Sequence, residues 1–186
     1  MMLKLRIHNL LISLTLLSLL IASCEKKLDS IPKSEVLNLP SSTTSNLETI
    51  LTDSGLVQLI MTTPLVEQYE NIEKPYSEFR MGIKVFFFDG TRDTMAMVTS
   101  RYAKYVTADK LWELKDSVIV LDDKNVKLET ELLYWSQEKD LIYTDRFVKL
   151  TDEDKIMTGL GFEADSHLKT KVIKKPWAII YLSEEE

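Results

Sequence analysis

The strongest constraint on this chain is a period of two. Short runs of alternating apolar and polar residues recur between turn residues, the pattern of antiparallel strands with one buried face. Val57, Leu59 and Met61 follow the turn residues Asp53, Ser54 and Gly55. Met81, Ile83, Val85 and Phe87 alternate with Gly82, Lys84, Phe86 and Phe88, ahead of the turn pair Asp89 and Gly90. Val126, Leu128, Thr130 and Leu132 alternate with Lys127, Glu129 and Glu131, the cleanest case of one dry and one wet face. Ile156, Thr158, Leu160, Phe162 and Ala164 form the last such set. Residues 65–76, with Val66, Tyr69 and Ile72 apolar among acids, are the best helical candidate, and Pro64 and Pro75 keep that candidate short. The expectation is an all-β chain of short antiparallel strands, a sandwich or jelly roll, in one domain over residues 46–182 with an acidic tail at 183–186.

The beginning of the chain follows another rule. Lys4 and Arg6 precede an uncharged run over residues 10–22, and then comes Cys24, the single cysteine. Basic start, apolar centre and small residues before a cleavage point form the order of a secretory signal, and the run is shorter than the ~18 apolar residues of a spanning helix. Ile21-Ala22-Ser23-Cys24 resembles the bacterial lipobox, so residues 1–23 are expected to be a lipoprotein signal peptide and Cys24 a lipidated anchor rather than a catalytic thiol. Residues 24–45, polar and interrupted by Pro32 and Pro40, read as a flexible tether.

Composition narrows the chemistry. With 23 Lys and Arg against 29 Asp and Glu, a net charge of −6 and no basic block, nucleic acid is not an expected partner. One cysteine supplies neither a disulfide within the chain nor a thiolate zinc module. Beyond the signal His167 is the one histidine, and it sits in a loop-like stretch. The acid clusters Asp122-Asp123 and Asp152-Glu153-Asp154 lie at expected turns, where such residues favour turning and solubility. No glycine-rich phosphate loop is present. Neither a metal nor a cofactor is expected, and an enzyme is the minority reading. Phe79, Phe86, Phe87 and Phe88 within ten residues suggest instead a β interior that is core, or that opens to take an elongated apolar ligand.

A family resemblance follows from these residues in order. Asp53 to Gly55, the stretch from Pro75 to Asp89, Ala103 to Tyr105, Leu128 to Trp135 and Gly159 to Asp165 together resemble the LptC family, over most of residues 46–182. The resemblance implies a single twisted antiparallel β-jelly roll whose open apolar interior takes the acyl chains of lipopolysaccharide. It implies a non-enzymatic component of the export machine, anchored to the inner membrane and facing the periplasm. Such a protein receives lipopolysaccharide from an inner-membrane ABC transporter and passes it to a periplasmic bridge protein of similar fold. By this resemblance Phe79 matches an interior lipid-contacting position; Ile83, Val85 and Phe87 share its parity opposite Lys84 and are assigned inward, leaving Phe86 and Phe88 outward or in a second layer. Gly55 matches a glycine at the transporter-facing end and Gly161 one near the edge that pairs with the bridge. Many members carry an uncleaved transmembrane helix where this chain has its lipobox-like sequence. The alternatives are a closed-core β-sandwich scaffold or adhesin, a carrier for another amphiphile, and a hydrolase built on a carboxylate pair.

Overall fold

The computed structural model describes residues 39–88 and 93–181. The signal segment, Cys24, the first part of the expected tether, the Asp89-Gly90 turn and the acidic tail lie outside the described residues. The described residues form eleven strands of one antiparallel sheet: β1 (Ser42–Asp53), β2 (Leu56–Tyr69), β3 (Tyr76–Phe79), β4 (Ile83–Phe88), β5 (Thr94–Ser100), β6 (Tyr102–Val106), β7 (Leu111–Asp122), β8 (Lys127–Ser136), β9 (Leu141–Thr151), β10 (Lys155–Asp165) and β11 (Lys171–Tyr181). The all-β expectation and its jelly-roll form hold.

Two local expectations do not. Residues 65–76 are not helical: residues 65–69 continue β2, and a loop leads from there to β3. The apolar spacing of Val66 and Tyr69 arises because the two residues pack on opposite faces of a strand, Val66 in the core cluster and Tyr69 stacked on Tyr76 with Arg80 donating to its hydroxyl. Residues 42–45, expected within the tether, instead pair with residues 65–68 as the start of β1.

The sheet is folded along a crease that crosses its long strands. β2 pairs with β4 through residues 59–62 and with β3 through residues 67–69. β7 likewise pairs with β6 through residues 111–115 and with β5 through residues 119–122. Between these segments Asn46 (φ 51°), Asp116 (φ 61°), Ser117 (φ 55°) and Gly161 (φ 76°) adopt left-handed backbone and are left out of the strand pairing. Pro64 lies opposite Asn46, where the pairing is interrupted and a missing N–H costs no ladder bond. Carbonyls released by the bends find donors on buried threonines: Thr63 Oγ1 lies 2.9 Å from the Gly82 carbonyl oxygen and Thr130 Oγ1 2.8 Å from that of Phe147.

The crease also explains why alternation in sequence does not run through whole strands. An unpaired residue shifts the parity of everything beyond it. In β10, Met157 packs on the core before Gly161, and Phe162 and Ala164 are buried after it, so the single face expected from Ile156 to Ala164 is two faces joined at a bulge. In β8, Leu128 and Thr130 face inward as expected, and beyond the bend Leu133 is the deeply buried residue. Met81, expected to share a face with Ile83, is 63% exposed because Gly82 (φ 84°) turns the chain between β3 and β4.

Two rows of inward side chains result, one on each half-sheet. Register places Met61, Val85, Val98, Val120, Leu128, Leu150 and Met157 side by side across seven successive strands of the first half-sheet. On the second, Tyr105, Trp112, Trp135, Ile142 and Ala164 are adjacent in the same way. Val118, Val148 and Phe162 are fully buried near the crease, where the two layers meet.

Candidate functional site

The space between the two rows is not filled. A cavity of about 290 Å³ is walled on one side by Leu59, Met61, Ile83, Val85, Phe87, Val98 and Val120 and on the other by Tyr105, Trp112, Leu133, Trp135 and Ile142. Thr49, Gln137 and Ser166 are the non-aromatic polar residues on its wall, so its lining is nearly all hydrocarbon and aromatic ring. Such a lining disfavours ions and suits apolar groups, because moving apolar surface from water is worth about 25 cal/mol per Å². Leu51 also lines it and is 53% exposed, so the wall reaches solvent beside β1.

The aromatic residues brace one another. Phe87 meets Trp135 edge to face at 5.6 Å across the cavity, tying β4 in one half-sheet to β8 in the other. Trp112 sits between Tyr105, 4.8 Å away, and Phe79, 5.5 Å away. The four expected interior residues therefore divide. Ile83, Val85 and Phe87 are on the cavity wall, whereas Phe79 is buried behind it, against Trp112. Phe86 faces outward, with the Lys84 ammonium 4.7 Å over its ring.

The end of the cavity nearest the β10 to β11 loop is covered. Ser166 and Leu168 from that loop lie on the wall, and Trp135 Nε1 donates to Ser166 Oγ at 2.9 Å. The Asp165 carboxylate shapes the loop by accepting the N–H groups of His167, Lys169 and Thr170. Burial is the largest single effect and raises the Asp165 pKa, but the backbone bonds together outweigh it, so the group lies below its ordinary value. Asp122, also buried, accepts the N–H groups of Lys124 and Val126 on Oδ1 and the Lys171 ammonium on Oδ2. Burial pushes its carboxyl up, and Lys171 with the two N–H groups pulls it below the ordinary value.

The glycines occupy different settings. Gly55 is in the turn joining β1 and β2, and β1 is one free edge of the sheet. Gly161 is at the crease in β10, one strand inside the other free edge, β11. Asp152 and Asp123 lie at strand-connecting turns, and among the described residues no three His, Cys, Asp or Glu side chains converge as a metal-binding set. Among the described residues no helix is long and apolar enough to cross a membrane.

A family model described as lipopolysaccharide-assembly, LptC-related, matches residues 9–175, most of the 186-residue chain. The chain belongs to the LptC-related family. Membership implies involvement in lipopolysaccharide transport, in a family of transport components associated with the periplasm and inner membrane. No curated protein matches the chain. For an LptC-related protein the apolar interior is the feature to weigh. Part of it was hidden in the sequence: the second wall, Trp112, Leu133 and Trp135, comes from strands whose inward parity is set only at the crease.

Proposed function

We propose that this chain receives lipopolysaccharide from an inner-membrane ABC transporter, holds its acyl chains between the two half-sheets, and passes it to a periplasmic bridge protein of similar fold. Lipidated Cys24, exposed by removal of residues 1–23, anchors it to the inner membrane, and the residues between Cys24 and β1 act as the tether. The observation that carries this reading is the apolar cavity, lined by Ile83, Val85 and Phe87 and reaching solvent at Leu51.

The sheet edges support the partner half of the reading. β11 ends in Trp177, Ile179, Ile180 and Tyr181, between 51% and 76% exposed, and β1 shows Ile50 and Leu51 at 54% and 53%. Apolar strands with an unpaired edge are templates for another strand, and monomers usually blunt them with charge or proline. Here the blunting is confined to one half of each: Lys171, Lys174, Lys175 and Pro176 in β11, and the polar residues 42–45 in β1. The free apolar halves both belong to the first half-sheet, whose inner row forms one wall of the cavity. A strand added there extends that wall into a neighbouring molecule, with Gly55 at the turn of one edge pair and Gly161 near the other.

The test is photocrosslinking in cells with a photoreactive residue at Val85 or Phe87, compared with Lys124 in the β7 to β8 turn, read by immunoblotting for lipopolysaccharide. Adducts at the two wall positions and none at Lys124 are expected. No adduct at either wall position in a folded, membrane-associated protein would overturn the conduit.

A further inference from the structure

The covered end of the cavity is closed by elements from opposite half-sheets. β7 ends at Asp122 in the first half-sheet, and β11 begins at Lys171 in the second. In sheet order β8, β9 and β10 lie between them, yet the Lys171 ammonium donates to Asp122 Oδ2, spanning the interior from one layer to the other. The two ends are unequal. The Asp122 side chain is 5% exposed and fixed by the N–H groups of Lys124 and Val126, at 2.9 and 2.8 Å, whereas the longer Lys171 side chain is 21% exposed. Lys171 directly follows the loop that carries Ser166 and Leu168 over the cavity, so the ion pair fastens that loop and its strand to the β7 to β8 turn.

Volume gives the ion pair a consequence. At about 290 Å³ the cavity lies at the lower limit of ligand pockets, which run from about 300 to 1,000 Å³. A lipopolysaccharide bears several acyl chains, more hydrocarbon than a cavity of this volume encloses, so enclosing them all requires the half-sheets to move apart. They cannot part at the crease, where each long strand runs unbroken from one layer into the other. They can part at the ends remote from it, and at the β7 and β11 ends Asp122 and Lys171 hold them together.

We propose that the Asp122 to Lys171 ion pair is a clasp at the covered end of the cavity, and that it opens when a multi-chain amphiphile loads. The inference rests on the transport reading above. Opening frees Lys171 with the β10 to β11 loop and leaves Asp122 in its turn, so the motion belongs to the loop and the start of β11.

The experiment uses full-length protein and fluorescently labelled lipopolysaccharide. Asp122→Cys and Lys171→Cys are combined and joined by a short bis-methanethiosulfonate linker that reductant removes. Wild type treated with the same reagent, with Cys24 as its single cysteine, controls for the chemistry. The linked protein is expected to take up the label at least about tenfold more slowly than its reduced form, because only the open fraction is competent to load. Lys171→Met, checked for folding by thermal unfolding, is expected to load faster than wild type. Equal uptake by the linked and reduced proteins, or no acceleration in folded Lys171→Met, overturns the clasp while leaving the conduit intact. Absence of uptake by wild type overturns the conduit and the clasp with it.

Discussion

Phe79 and Trp112 stack with ring centroids 5.5 Å apart, which places Phe79 behind the cavity wall and Trp112 in it. The pair separates two roles that a run of phenylalanines leaves mixed. Phe79 is 3% exposed and supports the Trp112 ring that faces the cavity, so Phe79→Ala leaves a void in packed core and is expected to cost about 3–5 kcal/mol. Phe87 already faces open space on one side, so Phe87→Ala is expected to cost nearer about 1 kcal/mol and to act mainly on lipid uptake. Urea unfolding of both variants, beside labelled-lipopolysaccharide uptake, checks the split. A Phe87 variant as unstable as the Phe79 variant would show that the cavity wall is ordinary core.

How much of this was legible follows from the same residues. In β8, Leu128 and Thr130 lie between charged neighbours, and sequence alone assigns their face correctly. In β10 the assignment reverses at Gly161, because a bulge shifts parity without leaving any mark in the apolar pattern. Residues 65–76 resembled a helix because a strand buried on both faces loses its period of two, with Val66 inward and Tyr69 under Arg80 on the other side. Phe87 was legible as a wall residue since Lys84 and Phe86 mark the opposite face. Trp112 and Trp135 were not, and neither was the Asp122 to Lys171 pair: its members are 49 residues apart and meet only because the sheet is folded over.

Acid is expected to weaken the fold through two carboxylates. Asp122 and Asp165 both lie below the ordinary value of 3.8, so each contributes stability that is present above that value and lost as pH falls through the lower folded value. Unfolding free energy should therefore hold steady from neutral pH down to about pH 5 and decline at and below pH 4. Asp122→Asn should be less stable than wild type at pH 7 and show a shallower acid decline. Denaturant titrations from pH 7 to pH 3 measure both; acid curves running parallel would show that Asp122 is no part of the response.

Gly159 and Gly161 are two residues apart in β10 and predict opposite tolerances. A Cβ on Gly159 would lie 2.4 Å from the Lys175 carbonyl oxygen and 2.9 Å from the Pro176 Cα, both backbone, so Gly159→Ala must push β11 away from β10. A Cβ on Gly161 would lie 3.2 Å from the Lys174 Cβ, which a shift of a few tenths of an ångström relieves, so the main cost is that of left-handed backbone, about 1–2 kcal/mol. Hydrogen exchange at the β11 amides is the discriminating measurement. Gly159→Ala should lose protection along β11, and Gly161→Ala should keep it at lower global stability. Equal loss in both would place the contact elsewhere.

The free half of β11 predicts a substitution that harms assembly and spares the fold. Ile180 is 55% exposed and pairs with Ile156 of β10 through backbone, so Ile180→Lys removes little packing and should change stability by no more than about 0.5 kcal/mol. A lysine there repeats the blunting that Lys174 and Lys175 already provide in the other half of the strand. If the bridge protein adds its strand at this edge, Ile180→Lys should lower crosslinking between the two while adducts with lipopolysaccharide at Val85 persist. Lys174→Ile, in the half already blunted, should leave bridge crosslinking unchanged. Undiminished crosslinking in Ile180→Lys would move the bridge contact away from this half of β11, because an added strand there brings its side chains alongside the new ammonium.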